Sequence, residues 1–336
     1  MSISIVGSLN YDLVTYADSI PAPGETIRAN SFQTHTGGKG LNQAIAIAKL
    51  KRPDSFYDVR MIGTVGKDSF GFELIHILQE HHVDVSQVVI HPTEKTGVAI
   101  ILVEKKTGQN RILITAGANG ESVYNDDQLE AIFPKTLKNN NEDRHMAVFQ
   151  QEIPDPCSIM KWLKRERKNY DIVFNPSPFK SIEIDNWNLI DILIVNEVES
   201  LQIIESVLEN NIVAEIKKEI RANFMKGYEE ICKVLQKKCV NPKGPGIVII
   251  TLGAKGVLFL SKEQREVKFR EPVKNIKVID TTGAGDTFLG AFITQYYQGI
   301  DITKAIEFST KASSLTIQNP GASESIATYN EVIQIS

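Results

Sequence analysis

The chain has 336 residues, of which 42% are hydrophobic and 23% are charged, and its formal net charge is −4. This length allows one large α/β domain or two small ones, and the composition is that of an ordinary globular protein. Because the sequence has no basic block, we expect no nucleic-acid partner. It also has no run of about eighteen consecutive apolar residues, so it predicts no membrane span.

The N-terminus and the cysteines bear on the cellular compartment. The first residues carry no basic region and turn polar by Asn10, so we expect no signal peptide. Cys157, Cys232 and Cys239 have neither zinc-like spacing nor an obvious disulfide pattern. We therefore expect a reduced, cytoplasmic protein; the sequence leaves the choice between cytosol alone and cytosol plus nucleus open.

The first predicted strand, Ile3 to Gly7, is followed by the polar residues Asn10 and Asp12. Open α/β sheets place ligand contacts just beyond the carboxyl ends of their strands, so these two side chains are candidate ligand contacts. A plain polar turn is the alternative. Between Thr15 and Thr36, short alternating pieces such as Thr26 to Ala29 predict strands outside the main sheet.

A glycine-rich turn opens the next predicted helix. Gly37, Gly38 and Gly40 surround Lys39, and an Ala- and Ile-rich stretch follows from Leu41 to Leu50. Glycines let the backbone approach a ligand closely, and Asn42 in the first turn can point back toward that ligand. The spacing is not that of a Walker A loop. Lys39 is therefore either a ligand contact or a surface charge.

The stretch Asp280 to Asp286 has the pattern of an anion site. Ile276 to Ile279 predicts a short strand before it, and Thr287 to Thr294 predicts a buried helix after it. The amides of Gly283, Ala284 and Gly285 at a helix start favour an anion. A carboxylate beside that site repels an anion unless it has another task, such as accepting a proton from an attacking hydroxyl. The alternative is a tight turn with Asp286 as a helix cap.

Two of these stretches, Gly37 to Ala44 and Asp280 to Asp286, resemble the two signatures of the ribokinase-like (PfkB) carbohydrate kinases. Further segments that agree with this family are Gly7–Asp12, Gly63–Gly71, Gly117–Asn119, Asn196–Glu199 and Thr251–Gly256. The resemblance covers nearly the whole chain. It implies a single α/β domain over 1–336, with a three-layer α/β/α fold, a mostly parallel central sheet and a small β-sheet lid. The lid strands would lie within 12–36 and 96–116, and in this family the lid also pairs two subunits.

The middle of the chain fits that architecture. Thr96 to Val103 and Arg111 to Thr115 flank a polar turn with Gly108 and predict a hairpin, either in the lid or in the main sheet. Lys135 to Arg144 is expected to be a polar surface loop. From Met146 onward, near-continuous apolar strands alternate with helices, which predicts a parallel sheet covered on both faces.

The later part of the chain contains a long charged stretch and a final helix. Leu201 to Val240 predicts surface helices within an insertion at 201–245, for which a partner-binding role stays open. The last helix is expected from about Ile302 to Ile317, followed by a Pro-Gly turn.

The resemblance implies ATP-dependent phosphorylation of the 5-hydroxyl of D-ribose, with Asp286 as general base and Gly283, Ala284 and Gly285 as anion hole. The implied sugar contacts are Asn10, Tyr11, Asp12, Gly38, Lys39, Gly40, Asn42, Glu152 and Asp286. The implied ATP contacts are Asn196, Thr251, Leu252, Gly253, Ala254, Lys255, Gly256, Gly285 and Thr310.

The resemblance also implies two cations. Glu199 would be associated with Mg²⁺, although taken singly it is read as an exposed helix charge. An activating K⁺ would be held, mostly through backbone oxygens, by Asp280, Thr282, Thr316, Asn319, Gly321 and Ser325.

Three alternatives to ribose phosphorylation stay open to different degrees. Another kinase of the family, acting on a different sugar or a nucleoside, would share the Asp286 turn but differ at the sugar-facing residues. A non-catalytic sugar sensor is disfavoured by the intact Asp286. A dinucleotide-dependent oxidoreductase would need Gly-x-Gly-x-x-Gly after the first strand, which the sequence lacks.

Overall fold

A computed structural model of the chain describes residues 1–107, 109–135 and 144–335. Over these residues, nine strands form the central sheet. In chain order they are β1 (Ser2–Val6), β4 (Asp58–Gly66), β5 (Asp84–His91), β8 (His145–Phe149), β9 (Tyr170–Phe174), β10 (Ile192–Asn196), β11 (Ile247–Thr251), β12 (Val257–Leu260) and β13 (Lys268–Arg270). Their spatial order is β13-β12-β11-β10-β9-β8-β1-β4-β5. The sheet is parallel except at β12 and β13, which pair antiparallel.

A separate four-stranded sheet has the order β3-β2-β6-β7. Its strands are β2 (Asn10–Ala17), β3 (Ser31–Gly37), β6 (Gly97–Glu104) and β7 (Asn110–Thr115). The predicted hairpin of β6 and β7 lies in this small sheet, where the two strands pair antiparallel; its turn residue Gly108 lies outside the described residues. The strand expected at Thr26 to Ala29 is not there. The chain runs irregularly from the end of β2 until the Asn30 amide donates to Tyr16 and pairing with β3 begins.

Helices cover both faces of the central sheet. They are α1 (Lys39–Leu50), α2 (Ser69–Glu80), α3 (Asp126–Ile132), α4 (Pro156–Glu166), α5 (Glu197–Val207), α6 (Asn210–Ala222), α7 (Phe224–Lys238), α8 (Ala284–Tyr297), α9 (Ile302–Thr316) and α10 (Tyr329–Ile333). Short 3₁₀ helices span Gly117–Glu121, Ile184–Leu189 and Gly253–Lys255.

Alternate residues of β10 show the layers directly. Ile192 and Ile194 belong to a core cluster that includes residues of α1, α8 and α9. Leu193 and Val195 belong to a second cluster with residues of α4, α5 and α7. Because successive strand residues face opposite sides of a sheet, the sheet separates two helical layers. The three-layer α/β/α prediction is confirmed.

Two expectations from the sequence are wrong in detail. Ile276 to Ile279 does not form a strand. The Ile279 amide donates to the Ile317 carbonyl at 2.8 Å, so this segment is a loop that contacts the C-terminal end of α9 and does not join the sheet. The helix from Ile302 is also not the last one, because α10 follows it. Thr328 and Glu331 form a capping box there, a start signal that the sequence analysis overlooked.

The remaining expectations concern the insertion, the polar loop and the cysteines. Helices α5, α6 and α7 occupy most of Leu201 to Val240, whereas Lys135 to Arg144 lies largely outside the described residues. The three cysteines are buried, and burial raises the thiol pKa of Cys157 to about 11 and of Cys232 and Cys239 to about 12. In the described ranges, no helix is long and apolar enough to cross a membrane.

Candidate functional site

Two helix starts converge on the carboxyl ends of the central strands. Helix α1 approaches the end of β1 so closely that a Cβ on Gly40 would lie 2.6 Å from the Ser8 carbonyl oxygen. The Leu41 amide donates to that same carbonyl at 3.0 Å. Helices α1 and α8 are equally close, since a Cβ on Gly290 would lie 2.5 Å from the Cβ of Ala46. Glycines at these crossings bring the first turns of both helices to one point.

Asp286 lies at that point, in the first turn of α8, with 8% of its surface exposed. Its Oδ2 accepts a hydrogen bond from Asn42 Nδ2 at 3.3 Å, and its Oδ1 accepts one from Gln43 Nε2 at 2.9 Å. Both donors lie near the start of α1. The contact between the two helices therefore holds both oxygens of this carboxylate.

Asn42 bonds Asp286, and charge interactions link Lys39 with Asp286 and Glu152, and Glu152 with Asp12. Together with Asn10, whose main chain lies against Gly38 at the start of α1, we call these residues the polar cluster: Asn10, Asp12, Lys39, Asn42, Glu152 and Asp286. Glu152 Oε2 accepts hydrogen bonds from the Ser8 hydroxyl and, at 3.0 Å, from the Lys39 amide. Asn42 Oδ1 is buried and has no hydrogen-bond partner among the described residues. A buried acceptor without a partner costs free energy, so this oxygen is ready to accept a hydroxyl from a ligand.

The strand end that carries Asn10 is held by Asn119. The Asn119 amide donates to Asn10 Oδ1 at 2.8 Å and to the Leu9 carbonyl at 3.0 Å, while its oxygen accepts the Leu9 amide at 2.8 Å. Because both polar atoms of the Asn119 side chain bond Leu9 or Asn10, Asn119 fixes the position of Asn10 without being part of the polar cluster.

Electrostatics couple the charged members of the polar cluster. Burial, and next the charge of Glu152, raise the pKa of Asp12 to about 6. Burial alone would lower the pKa of Lys39, but the carboxylates of Asp286, Glu152 and Glu199 outweigh it and the pKa is raised. Lys39 is half-buried and keeps its positive charge near these carboxylates, which suits it to meet a negatively charged ligand.

Tyr11 is the one predicted sugar contact whose side chain the structure does not bring to the polar cluster. Its hydroxyl donates to Glu73 Oε2 at 3.0 Å, and its ring stacks on Phe70 with centroids 4.2 Å apart. Asn10, Tyr11 and Asp12 are consecutive residues of β2, so the middle side chain faces the other side of the strand. The predicted glycines Gly38 and Gly40 line the start of α1, where a Cβ on either would meet backbone atoms of the β1–β2 connection.

Beyond Asp286, the start of α8 opens into a cavity of about 480 Å³, which we call the open cavity. Gly283 caps α8 in the left-handed region, with φ 74°, and the first amides of a helix have no partner within it. The lining residues include Thr251, Gly253, Ala254, Gly256, Val257, Pro272, Val273, Ile276, Ala284, Gly285, Phe288 and Thr310. Small and apolar residues beside a helix start can receive a planar ring together with an anionic group.

Three predicted ATP contacts do not line the open cavity. Leu252 packs into the second core cluster. The Lys255 ammonium lies 3.3 Å from a carboxylate oxygen of Glu197 and 3.8 Å from the ring centroid of Phe224. Asn196 caps α5. Six of the nine predicted ATP contacts, Thr251, Gly253, Ala254, Gly256, Gly285 and Thr310, do line it.

Asn196 and Glu199 form a capping box at the start of α5. Asn196 Oδ1 accepts the Glu199 amide at 2.8 Å, and Glu199 Oε2 accepts the Asn196 amide at 3.0 Å. Glu199 is only 7% exposed, so the reading of this residue as an exposed helix charge is wrong. Its neighbour in space is Lys39, on whose pKa it acts.

The predicted potassium residues are partly joined by one loop. Asp280 Oδ1 accepts the amide and hydroxyl of Thr282, at 2.9 and 2.7 Å, and its Oδ2 accepts the Gly321 amide at 3.0 Å. The Ser325 hydroxyl donates to the Gly321 carbonyl at 2.8 Å. The Thr316 hydroxyl bonds the Thr287 hydroxyl and the Asn319 side-chain amide donates to the Leu315 carbonyl, so these contacts lead away from the Asp280 loop.

Sequence reasoning missed the amides behind Asp286. Gln43, Gln150 and Asn175 join it through hydrogen bonds but were never singled out. A signal existed for each residue, because Gln43 is next to Asn42 in the helix start, and Gln150 and Asn175 each directly follow a central strand. The long-range pairing with Gln150 had no signal in the sequence.

Comparison with known proteins agrees with this geometry. The model of the pfkB family of carbohydrate kinases matches residues 1–328, so the chain belongs to that family. A ribokinase from Schizosaccharomyces pombe is 32% identical over 334 residues, which cover 99% of this chain and 96% of that protein.

Two solved structures are similar over almost the full length. The ribokinase of Thermotoga maritima is 30% identical with a TM-score of 0.77, covering 98% of this chain and 97% of the other. The Arabidopsis thaliana ribokinase, solved with ribose and ATP, is 27% identical with a TM-score of 0.78, covering 99% and 97%.

Proposed function

We propose that this chain transfers the γ-phosphoryl group of ATP to the 5-hydroxyl of D-ribose. The observation that carries the proposal is the position of Asp286, at the junction of the polar cluster and the open cavity. A polyhydroxylated ligand suits the first region and a nucleotide the second. The full-length similarity to ribokinases, one of them solved with both ribose and ATP, supports this pair of substrates.

The reaction needs one proton acceptor and one site for negative charge. Asp286 accepts the proton of the 5-hydroxyl while the oxygen of that hydroxyl forms a bond to the γ-phosphorus of ATP. The bond between the γ-phosphorus and the oxygen that bridges it to the β-phosphorus breaks, and ADP leaves. The amides of Gly283, Ala284 and Gly285 at the start of α8 stabilise the transferring group. The half-buried Lys39 ammonium, whose pKa the Asp286 carboxylate helps to raise, adds a positive charge on the sugar side.

Asn10, Asp12, Asn42 and Glu152 are the side chains we assign to the sugar hydroxyls. Carboxylates accept hydrogen bonds from hydroxyls, and the free oxygen of Asn42 adds an acceptor. Within the part of the chain that the structure describes, no cluster of three or more acidic, His or Cys side chains is set to hold a metal. Mg²⁺, which neutralises phosphate charge when bound, would therefore depend on phosphate oxygens and water, with Glu199 as the nearby carboxylate.

The loop of Asp280, Thr282, Gly321 and Ser325 suits K⁺ because carbonyl, hydroxyl and carboxylate oxygens meet there. It lies against the start of α8: a Cβ on Gly283 would be 3.1 Å from Ala322 Cα. A cation in this loop would act on the geometry of the α8 amides without touching the sugar.

The small sheet is assigned as a lid that also pairs two copies of the chain. Leu113 is 63% exposed, and Ile112 and Ile114 beside it on β7 are also more than half exposed. Ile112 and Ile114 lie on one face of the small sheet, and Leu113 lies on the other face beside its β6 partner Ile100, which is 40% exposed. Exposed apolar side chains on both faces of a sheet mark an interaction site. Sedimentation of the wild type and of Leu113→Asp tests this assignment, which fails if both sediment as the same species.

The first experiment is release of ADP from ATP and Mg²⁺ across a panel of sugars and nucleosides, with K⁺ or with a large organic cation. We expect turnover selective for ribose and raised by K⁺. Turnover on a different acceptor would keep Asp286 as the base and overturn the assignment of the sugar contacts. Ribose binding without turnover on any acceptor would instead indicate a sensor.

A further inference from the structure

Gln43 is fully buried, and both polar atoms of its side chain are hydrogen-bonded. Its Nε2 donates to Asp286 Oδ1 at 2.9 Å and to Asn175 Oδ1 at 3.1 Å. Its Oε1 accepts a hydrogen bond from Gln150 Nε2 at 2.6 Å. A flipped Gln43 amide would set its oxygen against two acceptors and its nitrogen against a donor, so one orientation is imposed on it.

The side-chain amides of Gln150, Gln43 and Asn175 form a hydrogen-bonded chain of amides. The backbone of the central sheet determines which way each amide in it is oriented. Asn175 Nδ2 donates to the Ile194 carbonyl of β10 at 2.9 Å. A backbone carbonyl can only accept, so Asn175 must turn its own oxygen toward Gln43. Gln43 must then present its nitrogen, and therefore a donor, to Asp286.

The other end of the chain of amides is fixed by close packing. A Cβ on Gly7 would lie 2.0 Å from Gln150 Oε1, so the glycine at the end of β1 makes the space that Gln150 occupies. Strands β1, β8, β9 and β10 thus all contribute to the placement of Gln43, while Gln43 itself is on α1.

From these contacts we propose that Gln43 is a positioning residue for Asp286, aligned by Asn175 and Gln150. The proposal deepens the proposed function and rests on it. Gln43 does not reach substrate; it holds Oδ1, so that the carboxylate cannot rotate away from the sugar hydroxyl. The second donor, Asn42, lies 3.3 Å from Asp286 Oδ2, and the proposed function also assigns it to a sugar hydroxyl. Asn42 alone therefore does not hold the Asp286 carboxylate in place.

The test is Gln43→Met, which keeps the length of the side chain and removes the donor. Displacing a reacting group by about 1 Å can cost on the order of 10²-fold in rate, so we expect kcat to fall about 10- to 100-fold. The Kd for ribose, measured by calorimetry, should stay within about twofold. The control is Gln295→Met, which removes a buried amide of α8 that bonds Thr294, not Asp286; it should leave kcat unchanged even if it lowers Tm.

A double-mutant cycle with Asp286→Asn separates positioning from damage to the fold. If Gln43 acts through Asp286, Gln43→Met should lower kcat in the wild-type background but not lower the residual turnover of Asp286→Asn. An equal fold-loss in both backgrounds, or an unchanged kcat in the single variant, overturns the proposal.

A second variant covers the case in which Gln43→Met does not fold. Asn175 is only half-buried, and Asn175→Ala removes the acceptor that aligns Gln43. We expect a several-fold loss of kcat in the wild-type background and no loss in the Asp286→Asn background. An unchanged kcat in the wild-type background contradicts the proposal. Near-normal turnover of Asp286→Asn itself would instead overturn the proposed function, so the two failures are distinguishable.

Discussion

The polar cluster and the open cavity meet at Asp286 but are built in opposite ways. In the polar cluster, specific hydrogen bonds hold individual side chains: Asp286 accepts from two side-chain amides, and Glu152 accepts from the Ser8 hydroxyl and the Lys39 main-chain amide. The open cavity is lined mainly by small and apolar residues and by the start of α8. The first construction fixes individual hydrogen-bonding atoms, as a sugar requires, whereas the second offers a surface and backbone amides, as a nucleotide requires.

The largest expected effect comes from the residue that both regions share. Asp286→Asn removes the proton acceptor and keeps the shape of the side chain, so kcat should fall by on the order of 10²–10⁴-fold. Ribose and ATP should still bind, because each region keeps its other contacts. Steady-state turnover together with calorimetric binding of each substrate measures the two effects. A variant with near-normal kcat would remove Asp286 from the role of base.

The contrast between the two regions should also appear when glycine is replaced by alanine on each side. A Cβ on Gly40 would lie 2.6–2.7 Å from backbone atoms of Gly7 and Ser8, whereas a Cβ on Gly285 has no atom within 4 Å. Gly40→Ala should lower the free energy of unfolding by about 1–3 kcal/mol through overpacking. Gly285→Ala should fold as well as the wild type or slightly better, because alanine favours a helix.

Their kinetic effects should differ in kind. The new methyl group at Gly285 enters the open cavity, so the KM for ATP should rise while the Kd for ribose stays unchanged. Denaturant unfolding and steady-state kinetics of the two variants provide the comparison. Equal stability loss in both would show that the open cavity is packed as tightly as the polar cluster.

Sequence reasoning succeeded where a local pattern carries the information. The apolar strands predicted the parallel sheet, and the two glycine turns drew attention to Lys39, Asn42 and Asp286, which the fold brings together. Sequence reasoning failed where the structure of a segment depends on a contact with a residue that is distant in the sequence. Ile276 to Ile279 has the composition of a strand, yet its partner is the end of α9. Gln150 bonds a residue 107 positions away, and no spacing in one sequence reveals such a pair.

Tyr11 shows a further limit of the sequence pattern. It lies between two polar-cluster residues in the sequence, but the alternation of β2 turns its side chain to Phe70 and Glu73. A resemblance to a continuous motif assigns the same role to every residue of the motif. Only the geometry of the strand shows which of these residues face the ligand and which face the other side of the sheet.

The smallest expected effect concerns pH and is confined to the polar cluster. Burial and the charge of Glu152 raise the pKa of Asp12 from 3.8 to about 6. Between about pH 4 and pH 6 the native state therefore holds a proton that the unfolded chain has released, so this group lowers stability as pH rises through that window. If the ionised carboxylate accepts sugar hydroxyls, ribose binding should change in the opposite sense and weaken about tenfold as pH falls from 7.5 to 5.

Calorimetric titration of ribose across that pH range checks this expectation, with Asp12→Asn as the matched variant. His35 and Glu324 also act on the Asp12 carboxylate, so the wild type alone does not assign the titration. Asp12→Asn should bind ribose weakly and with little dependence on pH, because its amide cannot ionise. A full pH dependence in Asp12→Asn would move the titrating group elsewhere in the polar cluster. Asp12→Asn should leave the pH dependence of ATP binding unchanged, because no carboxylate lines the open cavity among the described residues and any step near pH 6 there comes from the phosphate of ATP itself.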